Sequence, residues 1–369
     1  MAELLKVIGL MSGTSLDGID AALVETDGLD VAMSKAALGV SYDLETRKTL
    51  RAALDEARNF AEGAAMSYPI RDAERRLTEA HADAVTLLLR KAGLSPRDIS
   101  LIGFHGQTIL HRPEQRRTWQ IGDGALLARL TGIDVVNDFR SADVRAGGQG
   151  APLASLYHAA LVRQKRDMSP PVIIVNIGGV ANVTYVDGDT ILSFDTGPGN
   201  APIDDWVQRH TGKPIDEAGA LARSGSVDHQ ILSRMLDDAF FVRRPPKSLD
   251  RMDFGFASVA GLSAADGAAT LTAFTAAAIA RAREHFPRPA ATWIVCGGGR
   301  HNRTLMEQLR RRLADPVLVA EDAGWSGDFV EAEAFAYLAA RSLKGLPLSL
   351  PTTTGVPHAA SGGTLHCAK

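Results

Sequence analysis

The spacing of apolar residues predicts two successive α/β segments. In the first segment, runs rich in β-favouring side chains predict strands, and apolar positions recurring on one face predict helices. These predicted elements are strands at Leu4–Leu10, Ile19–Glu25 and Val31–Val40, helices at Leu44–Phe60 and Ile70–Ala92, and short strands at Leu101–Phe104 and Ile133–Val136. Met11–Gly18 would then form the tip of a hairpin.

The second segment repeats this order of elements. Its predicted strands are Val172–Ile177, Val183–Val186, Thr190–Phe194, Trp293–Cys296 and Val317–Val319. Its predicted helices lie around Ala201–His210, Val227–Asp238, Ala268–His285 and Asn302–Leu313. Because each half opens with a three-strand meander and then alternates helices and strands, we predict a duplicated α/β fold. We expect lobe I to span 1–145, with 328–369 returning toward the interdomain region, and lobe II to span 146–327. A ligand would bind in the cleft between them.

Composition narrows the class of protein. The chain has 369 residues, of which 45% are hydrophobic and 22% charged, which is the range of globular proteins and excludes a disordered chain. The 40 Lys and Arg residues against 43 Asp and Glu residues give a net charge of −3, so nothing favours nucleic acid as a partner. Cys296 and Cys367 are the two cysteines, and we expect both to be reduced thiols.

The sequence predicts a cytoplasmic protein. The acidic start Met1-Ala2-Glu3 and Lys6 do not fit a signal peptide. The least charged long stretch, Gly267–Ala280, is shorter than the roughly 18 apolar residues that a membrane span needs. We expect neither a membrane nor a nucleic-acid partner, and a homodimer stays open.

The segment Gly13–Asp20 concentrates groups that can bind phosphate. Two glycines allow close approach of an anion to backbone N–H groups, the hydroxyls add donors, and Asp17 could hold a metal ion through water. The alternative is an ordinary polar turn, but the segment is longer than a hairpin needs. No Gly-Lys-Ser/Thr follows, so this is not a Walker A loop.

Two further glycine turns follow strands of the second half. Gly178-Gly179 occupies the same place as Gly13–Asp20 does in the first half, and Gly297–Gly299 precedes a helix. The hairpins at Gly13–Asp20 and at Gly178-Gly179 could clamp one polyphosphate from opposite sides. The alternative is that the glycine pairs form simple tight turns. The three glycines at 297–299 would also permit flat packing of an aromatic base against the backbone.

Asp195 is the candidate general base. It ends a predicted strand, and Gly197-Pro198-Gly199 fixes the backbone beneath it. The alternative is that Asp195 only caps the following helix.

Polar residues are dense in three stretches of the first half, 119–123, 138–143 and 147–152. Carboxylates, amides and arginine of this kind recognise sugar hydroxyls or an acidic substituent. Structural hydrogen bonds are the alternative for any one residue. His105 and His111 lack a Cys or carboxylate at zinc spacing, so the histidines do not predict a metal site.

Taken in order, these segments resemble the anhydro-N-acetylmuramic acid kinase family. The motifs that carry the resemblance are GLMSGTSLDGID, FHGQTILH, WQIGD, DFRSADVRAGGQGAPL, NIGGVAN, FDTGPGN, VCGGGRHN and SGDFVEAEAFAYLA. The resemblance implies the two-lobed actin-like ATPase fold, which is ribonuclease H-like. It also implies that ATP and 1,6-anhydro-N-acetylmuramic acid give ADP and N-acetylmuramic acid 6-phosphate, with water opening the anhydro bridge, in peptidoglycan recycling.

The resemblance also implies site residues. Positions matching the ATP site are Gly13, Thr14, Ser15, Leu16, Asp17, Gly18, Ile19, Asp20, Gly178, Gly179, Gly297, Gly298, Gly299 and Asn302. Asp195 matches the catalytic base that takes a proton from the attacking water. Positions matching the sugar site are Thr108, Asp143, Gln149 and Glu331. ATP and Mg²⁺ are the implied cofactors, with Asp17 as an indirect metal ligand.

One loop departs from the family pattern. Where the family reads Pro-Lys-Ser-Thr-Gly-Arg-Glu, this chain reads Pro246-Lys247-Ser248-Leu249-Asp250-Arg251-Met252. Contacts made by the Thr, Gly and Glu would be absent or replaced by Asp250.

Two rival functions share parts of this pattern. Another sugar or acid kinase of the same fold would keep the phosphate loops but not FDTGPGN together with GGQGAPL. An ATP-gated chaperone would need a peptide-binding domain, and only a short segment containing 351–363 follows the last helix.

Overall fold

The computed structural model describes residues 4–13, 16–60, 65–251 and 253–368, and of residues 32–35 the backbone alone. In chain order the strands are β1 (Leu5–Ser12), β2 (Gly18–Thr26), β3 (Val31–Ser41), β4 (Leu101–Phe104), β5 (Gln107–Arg112), β6 (Arg117–Ile121), β7 (Val135–Asn137), β8 (Val172–Ile177), β9 (Val180–Asp187), β10 (Thr190–Pro198), β11 (Thr292–Cys296), β12 (Val317–Val319) and β13 (Thr364–His366).

The α-helices in chain order are α1 (Leu44–Ala57), α2 (Tyr68–Ala92), α3 (Gly124–Thr131), α4 (Ser141–Arg145), α5 (Ser155–Gln164), α6 (Ala201–Thr211), α7 (Ala220–Ser224), α8 (His229–Leu236), α9 (Ala239–Val242), α10 (Ala264–Arg281), α11 (Arg303–Arg312) and α12 (Val330–Leu343). Within the part of the chain that the structure describes, no helix combines the length and apolar character needed to cross a membrane.

The chain divides into two units. Unit 1 comprises Met1–Gln164 and Phe329–Lys369, and unit 2 comprises Lys165–Asp328. We expected lobe I to end at residue 145, so that boundary needs correction. The reason is that α5 packs on α12 and β3, and Gln149 donates its backbone N–H to the Thr354 carbonyl at 2.6 Å. The segment after residue 145 therefore completes unit 1.

The main sheet of unit 1 has the order β13-β7-β4-β1-β2-β3. Strand β2 is antiparallel to β1 and β3, whereas β4 is parallel to β1 and β7. Helix α12 lies directly on this sheet, since Cβ atoms at Gly9 and Gly103 would come within 1.8 and 2.1 Å of its Ala332 and Phe335 carbonyl oxygens. Glycine at these two positions permits the close approach of helix and sheet.

The sheet of unit 2 has the order β10-β9-β8-β11-β12. Strand β9 is antiparallel to β8 and β10, whereas β11 is parallel to β8 and β12. Residues 267–280 of α10 are buried, and their small side chains suit a helix packed on several sides. Read from one edge, the sheets have the corresponding orders β3-β2-β1-β4-β7 in unit 1 and β10-β9-β8-β11-β12 in unit 2, with β13 added beyond β7. The prediction of a duplicated, ribonuclease H-like α/β fold is therefore confirmed.

Candidate active site

Three glycine turns of unit 2 meet beside one another. The Gly178 and Gly179 carbonyls between β8 and β9 accept hydrogen bonds from the N–H groups of Asn200 and Gly199, at 2.8 and 2.9 Å. A Cβ at Gly297, after β11, would lie 2.8 Å from the Ile177 carbonyl oxygen. The structure therefore brings together three motifs that are separated along the sequence.

The glycines in these turns have different reasons to be glycine. A Cβ at Gly199 would come within 2.2 Å of the Gly178 carbonyl oxygen, and one at Gly299 within 2.3 Å of Ile177 Cγ2. By contrast, the nearest atoms to a Cβ at Gly178 and Gly298 are 3.7 and 3.9 Å away. Neither of these two has a positive φ. Packing and backbone conformation thus leave positions 178 and 298 open to a ligand.

Asn302 has a structural role at this turn. Its side-chain oxygen caps α11 by accepting the Leu305 N–H at 3.0 Å, and it would lie 2.1 Å from a Cβ at Gly219. The contact with adenosine predicted for Asn302 stays a prediction, but its side-chain oxygen is already engaged in the cap.

Arg300, which the sequence motifs did not single out as functional, fixes the same turn. Its buried guanidinium donates to Glu321 at 2.7 Å, to Asp328 at 2.6 Å and to the Gly297 carbonyl at 3.0 Å. Burial lowers the pKa of Arg300, but the two carboxylates outweigh this effect and raise it. Its hydrogen bond in turn lowers the pKa of Asp328. The cation thus holds the turn and the segment before α12 in one arrangement.

Asp195 lies near the end of β10, at a bulge in its pairing with β9. The residue is buried, with 6% of its surface exposed. Its carboxylate accepts the Leu249 N–H at 2.8 Å, and its own N–H donates to the Lys247 carbonyl at 2.9 Å. The alternative role as a helix cap is wrong, because β10 continues to Pro198 and the cap position of α6 is held by Asn200.

The loop that departs from the family pattern is the one that contacts Asp195. It does so through the backbone at Lys247 and Leu249, so these contacts do not need the Thr that the family has at position 249. Arg251 of the same loop forms an ion pair with Asp205 at 2.8 Å. Sequence reasoning flagged this loop only as a departure and missed its contact with Asp195.

Asp204, in the first turn of α6, is a further titratable group close to this site in sequence. Burial raises the pKa of its carboxyl group to about 7, with an added contribution from Asp205, while Arg251 opposes the shift. A carboxyl group that titrates near neutrality is suited to proton transfer. No sequence motif pointed to it.

The β1–β2 hairpin of unit 1 has the predicted tip, with Ser12 paired to Ile19. Leu16 and Ile19 bury their side chains in the hydrophobic core, so phosphate could meet only their backbone. Glycine at position 18 has a packing reason, because a Cβ there would lie 2.3 Å from the Val40 carbonyl oxygen. Asp17 is exposed.

Four further residues of this hairpin match the ATP site, and the structure describes two of them, Gly13 and Asp20. Gly13 accepts the Leu16 N–H at its carbonyl at 3.3 Å, and Asp20 is half-buried. Thr14 and Ser15 lie outside the described residues. Phosphate binding by the hairpin stays a prediction.

A buried hydroxyl network supports the hairpin. Ser12 Oγ donates to Gln107 Oε1 at 2.7 Å and lies 2.8 Å from the Tyr42 hydroxyl. Burial raises the pKa of Tyr42, so it stays protonated and able to donate. This network links β1 to β5, the strand that carries Thr108.

The four predicted sugar residues all belong to unit 1. Thr108 is half-buried and accepts from Gln120 at 3.1 Å, Gln149 is half-buried, and Glu331 is half-buried in the first turn of α12. These three stay predictions.

Asp143 has a structural role, because its carboxylate is buried and binds groups of the protein itself. It accepts hydrogen bonds from the Gly150 N–H and the Thr354 hydroxyl, both at 2.6 Å, and from the Ser349 hydroxyl. Its role in the structure is to join the 148–150 loop to the segment 349–354. A contact of Asp143 with the sugar stays a prediction.

Comparison with known proteins identifies the family of this chain. A sequence model of the anhydro-N-acetylmuramic acid kinase family matches residues 5–368. The chain belongs to this family. It is 52% identical to anhydro-N-acetylmuramic acid kinase of Rhodospirillum rubrum, over 97% of this chain and 93% of the relative. It is also 50% identical to that of Bradyrhizobium diazoefficiens, over 98% and 99%. The protein is therefore an enzyme, a kinase that uses ATP.

Among the described residues, no group of three or more His, Cys, Asp or Glu side chains is placed to hold a metal ion. A Mg²⁺ ion bound mainly through waters and substrate phosphates needs only one or two carboxylates. The exposed carboxylate of Asp17, in the predicted phosphate-binding segment, is compatible with that manner of binding.

Proposed function

We propose that this kinase opens the 1,6-anhydro ring of 1,6-anhydro-N-acetylmuramic acid with water and phosphorylates O6. The products are N-acetylmuramic acid 6-phosphate and ADP. Family membership supports the substrate. The observation that carries the chemistry is the Asp195 carboxylate, held by the Leu249 N–H at 2.8 Å beside the glycine turns.

Asp195 would act as the general base. A base must present its oxygen in a fixed direction, and the two backbone contacts from Leu249 and Lys247 supply that orientation. Burial also limits competing contact of the carboxylate with bulk water. Asp195 takes a proton from the water that attacks C1 and later releases it to solvent.

The remaining bonds balance in one step. As water attacks C1, the C1–O6 bond breaks, and the departing O6 forms a bond to the γ-phosphorus of ATP. The bond from the γ-phosphorus to the β,γ-bridging oxygen breaks, and ADP leaves. Because the γ-phosphoryl group captures O6 directly, no separate acid is needed for the leaving oxygen.

The glycine turns of unit 2 would hold the nucleotide. Gly178 and Gly298 present open faces that a Cβ would fill, which is what close approach of phosphate to backbone requires. Asp17 would contact Mg²⁺ through water, and Mg²⁺ would neutralise charge on the phosphates. The proposed role is recycling of peptidoglycan, and location in the cytoplasm stays a prediction.

Turnover in ¹⁸O-labelled water tests this function. Protein, Mg-ATP and 1,6-anhydro-N-acetylmuramic acid should give a product with ¹⁸O at C1 and phosphate at O6. The matched reaction is N-acetylmuramic acid in place of the anhydro sugar, where phosphorylation would not require uptake of water oxygen. Phosphorylated product that retains the anhydro ring, or ¹⁸O in the phosphate, would overturn the proposal.

A further inference from the structure

Lys247 carries a buried ammonium group that has no role in the proposed reaction. Only 3% of the residue's surface is exposed. Its Nζ donates to the Phe240 carbonyl at 3.0 Å and lies 4.4 Å from the Phe240 ring centroid and 5.8 Å from that of Phe194. Burying an ammonium ion is costly unless it is compensated. Here a carbonyl and two aromatic faces compensate it.

The cavity around this ammonium group is too small for a substrate. Its volume is about 10 Å³, which is space for roughly one water molecule. Its walls include Phe194, Thr196, Phe241 and Ala278. The ammonium group is therefore an internal anchor and does not bind the sugar or the nucleotide.

The anchored residue is also the one that holds Asp195. The Lys247 carbonyl accepts the Asp195 N–H at 2.9 Å, and the Leu249 N–H, two residues further along the same loop, donates to the Asp195 carboxylate at 2.8 Å. Fixing the Lys247 side chain on Phe240 therefore fixes the backbone that orients the carboxylate.

Charge adds to this connection. Burial, followed by the charges of Arg243 and Arg281, lowers the pKa of Lys247 to about 8, while Glu284 and Asp195 oppose the shift. The opposing effect of Asp195 means that its carboxylate and the ammonium attract each other. His285, also a wall of the cavity, has a pKa lowered first by burial and then by Lys247, so it adds little positive charge near neutral pH.

We propose that Lys247 is a positioning residue for the general base: its buried ammonium, seated on Phe240, fixes the loop whose backbone holds Asp195. This inference rests on the proposed function, in which Asp195 takes the proton of water. It assigns a role to the part of the departing loop that this chain shares with the family.

Lys247→Met tests the assignment, because Met keeps a similar length and removes the charge. We expect kcat to fall by about tenfold or more, with KM for ATP within about twofold. The acid limb of the kcat/KM profile should move to higher pH, because a cation that favours the ionised base is lost. Exposed Lys213 offers the matched control, and Lys213→Met should leave the rate and profile unchanged.

A purely structural role would give a different result. Unchanged kcat and an unchanged pH profile in folded Lys247→Met would overturn the proposal, as would equal losses of ATP affinity and rate. If Lys247→Met does not fold, Phe240→Leu provides the same test, since it removes the ring under the ammonium and keeps the carbonyl. We expect it to lower kcat in the same direction by a smaller factor, and a wild-type profile would contradict the assignment.

Asp195→Asn separates the failure of this inference from the failure of the proposed function. If Asp195→Asn is inactive and Lys247→Met is fully active, only the role of Lys247 is wrong. If Asp195→Asn retains wild-type turnover, the assignment of the base itself fails, and the role of Lys247 fails with it.

Discussion

Leu249 donates its backbone N–H to the Asp195 carboxylate at 2.8 Å, across 54 positions of the sequence. The contact explains how the chain tolerates Leu where the family has Thr, because the donor is the amide and not the side chain. It also makes position 249 a sensitive probe of how the carboxylate is held.

Two substitutions at position 249 should therefore behave in opposite ways. Leu249→Pro removes the N–H, and we expect kcat to fall by about tenfold or more because an oriented hydrogen bond to a charged group is lost. Leu249→Thr keeps the N–H and should stay within about threefold of wild type. Steady-state kinetics on both variants, with thermal unfolding as the check on folding, decides the matter. Similar rates for the two variants would show that the amide does not orient Asp195.

The open faces of the glycine turns predict a selective loss of nucleotide binding. Gly178→Val places a branched side chain where the nearest atom to a Cβ is 3.7 Å away, so the fold should persist while phosphate approach is blocked. We expect ATP affinity measured by calorimetry to fall by about tenfold or more. Gly261 has no atom within 4 Å of a Cβ and provides the control Gly261→Val. Equal ATP affinity in the two folded variants would remove Gly178 from the nucleotide site.

We expect substitution of Asp143 to lower the stability of the fold more than the affinity for the sugar. Asp143→Ala leaves the Gly150 N–H and the Thr354 and Ser349 hydroxyls without their buried acceptor. We expect the free energy of unfolding to fall by about 2–4 kcal/mol. Chemical denaturation measures it. Unchanged stability with a raised KM for the sugar would instead support the sugar contact that the family resemblance implies.

The raised pKa of Asp204 should make the free energy of unfolding depend on pH. Its pKa is raised to about 7 from an ordinary 3.8, so the folded state binds more protons than the unfolded state between these values. The stability that protonated Asp204 contributes is therefore fully present below its ordinary pKa of 3.8 and is lost as the pH rises through about 7. Asp204→Asn should raise the free energy of unfolding at pH 8, by on the order of 2 kcal/mol, and much less at pH 4. Asp189→Asn, at an exposed position of the β9–β10 turn, provides the control and should leave stability unchanged at both pH values. An equal gain for Asp204→Asn at pH 4 and pH 8 would contradict the raised pKa.

Most of the sheet could be predicted because its strands bury both faces. A run such as Val172–Ile177 is apolar at every position except Asn176, and the structure has β8 over the same residues. The hairpin of β5 and β6 was missed because its strands are short and rich in polar residues, and they lack the sustained alternation of polar and apolar positions that indicates a strand. Helix α5 was missed because Ser155–Val162 is buried on all sides, so it has no amphipathic period.

The candidate site could be predicted only where its residues follow strands. Asp195 and the turns at 178, 199 and 297 belong to short motifs directly after buried strands, which is a signal that the sequence contains. Leu249 and Lys247 come from an irregular loop, and their contacts with Asp195 run through backbone atoms that no residue pattern encodes. The engagement of Asp143 depends on partners more than 200 positions away, so spacing could not reveal it.

Asp195→Asn tests the central claim most directly. The amide keeps the shape of the carboxylate but cannot take the proton from water, so single-turnover product formation from 1,6-anhydro-N-acetylmuramic acid should slow by about 10² to 10⁴. ATP affinity, measured by calorimetry on the same preparation, should stay within about twofold of wild type. A variant that turns over at the wild-type rate, or one that loses ATP affinity by the same factor as the rate, would contradict Asp195 as the general base.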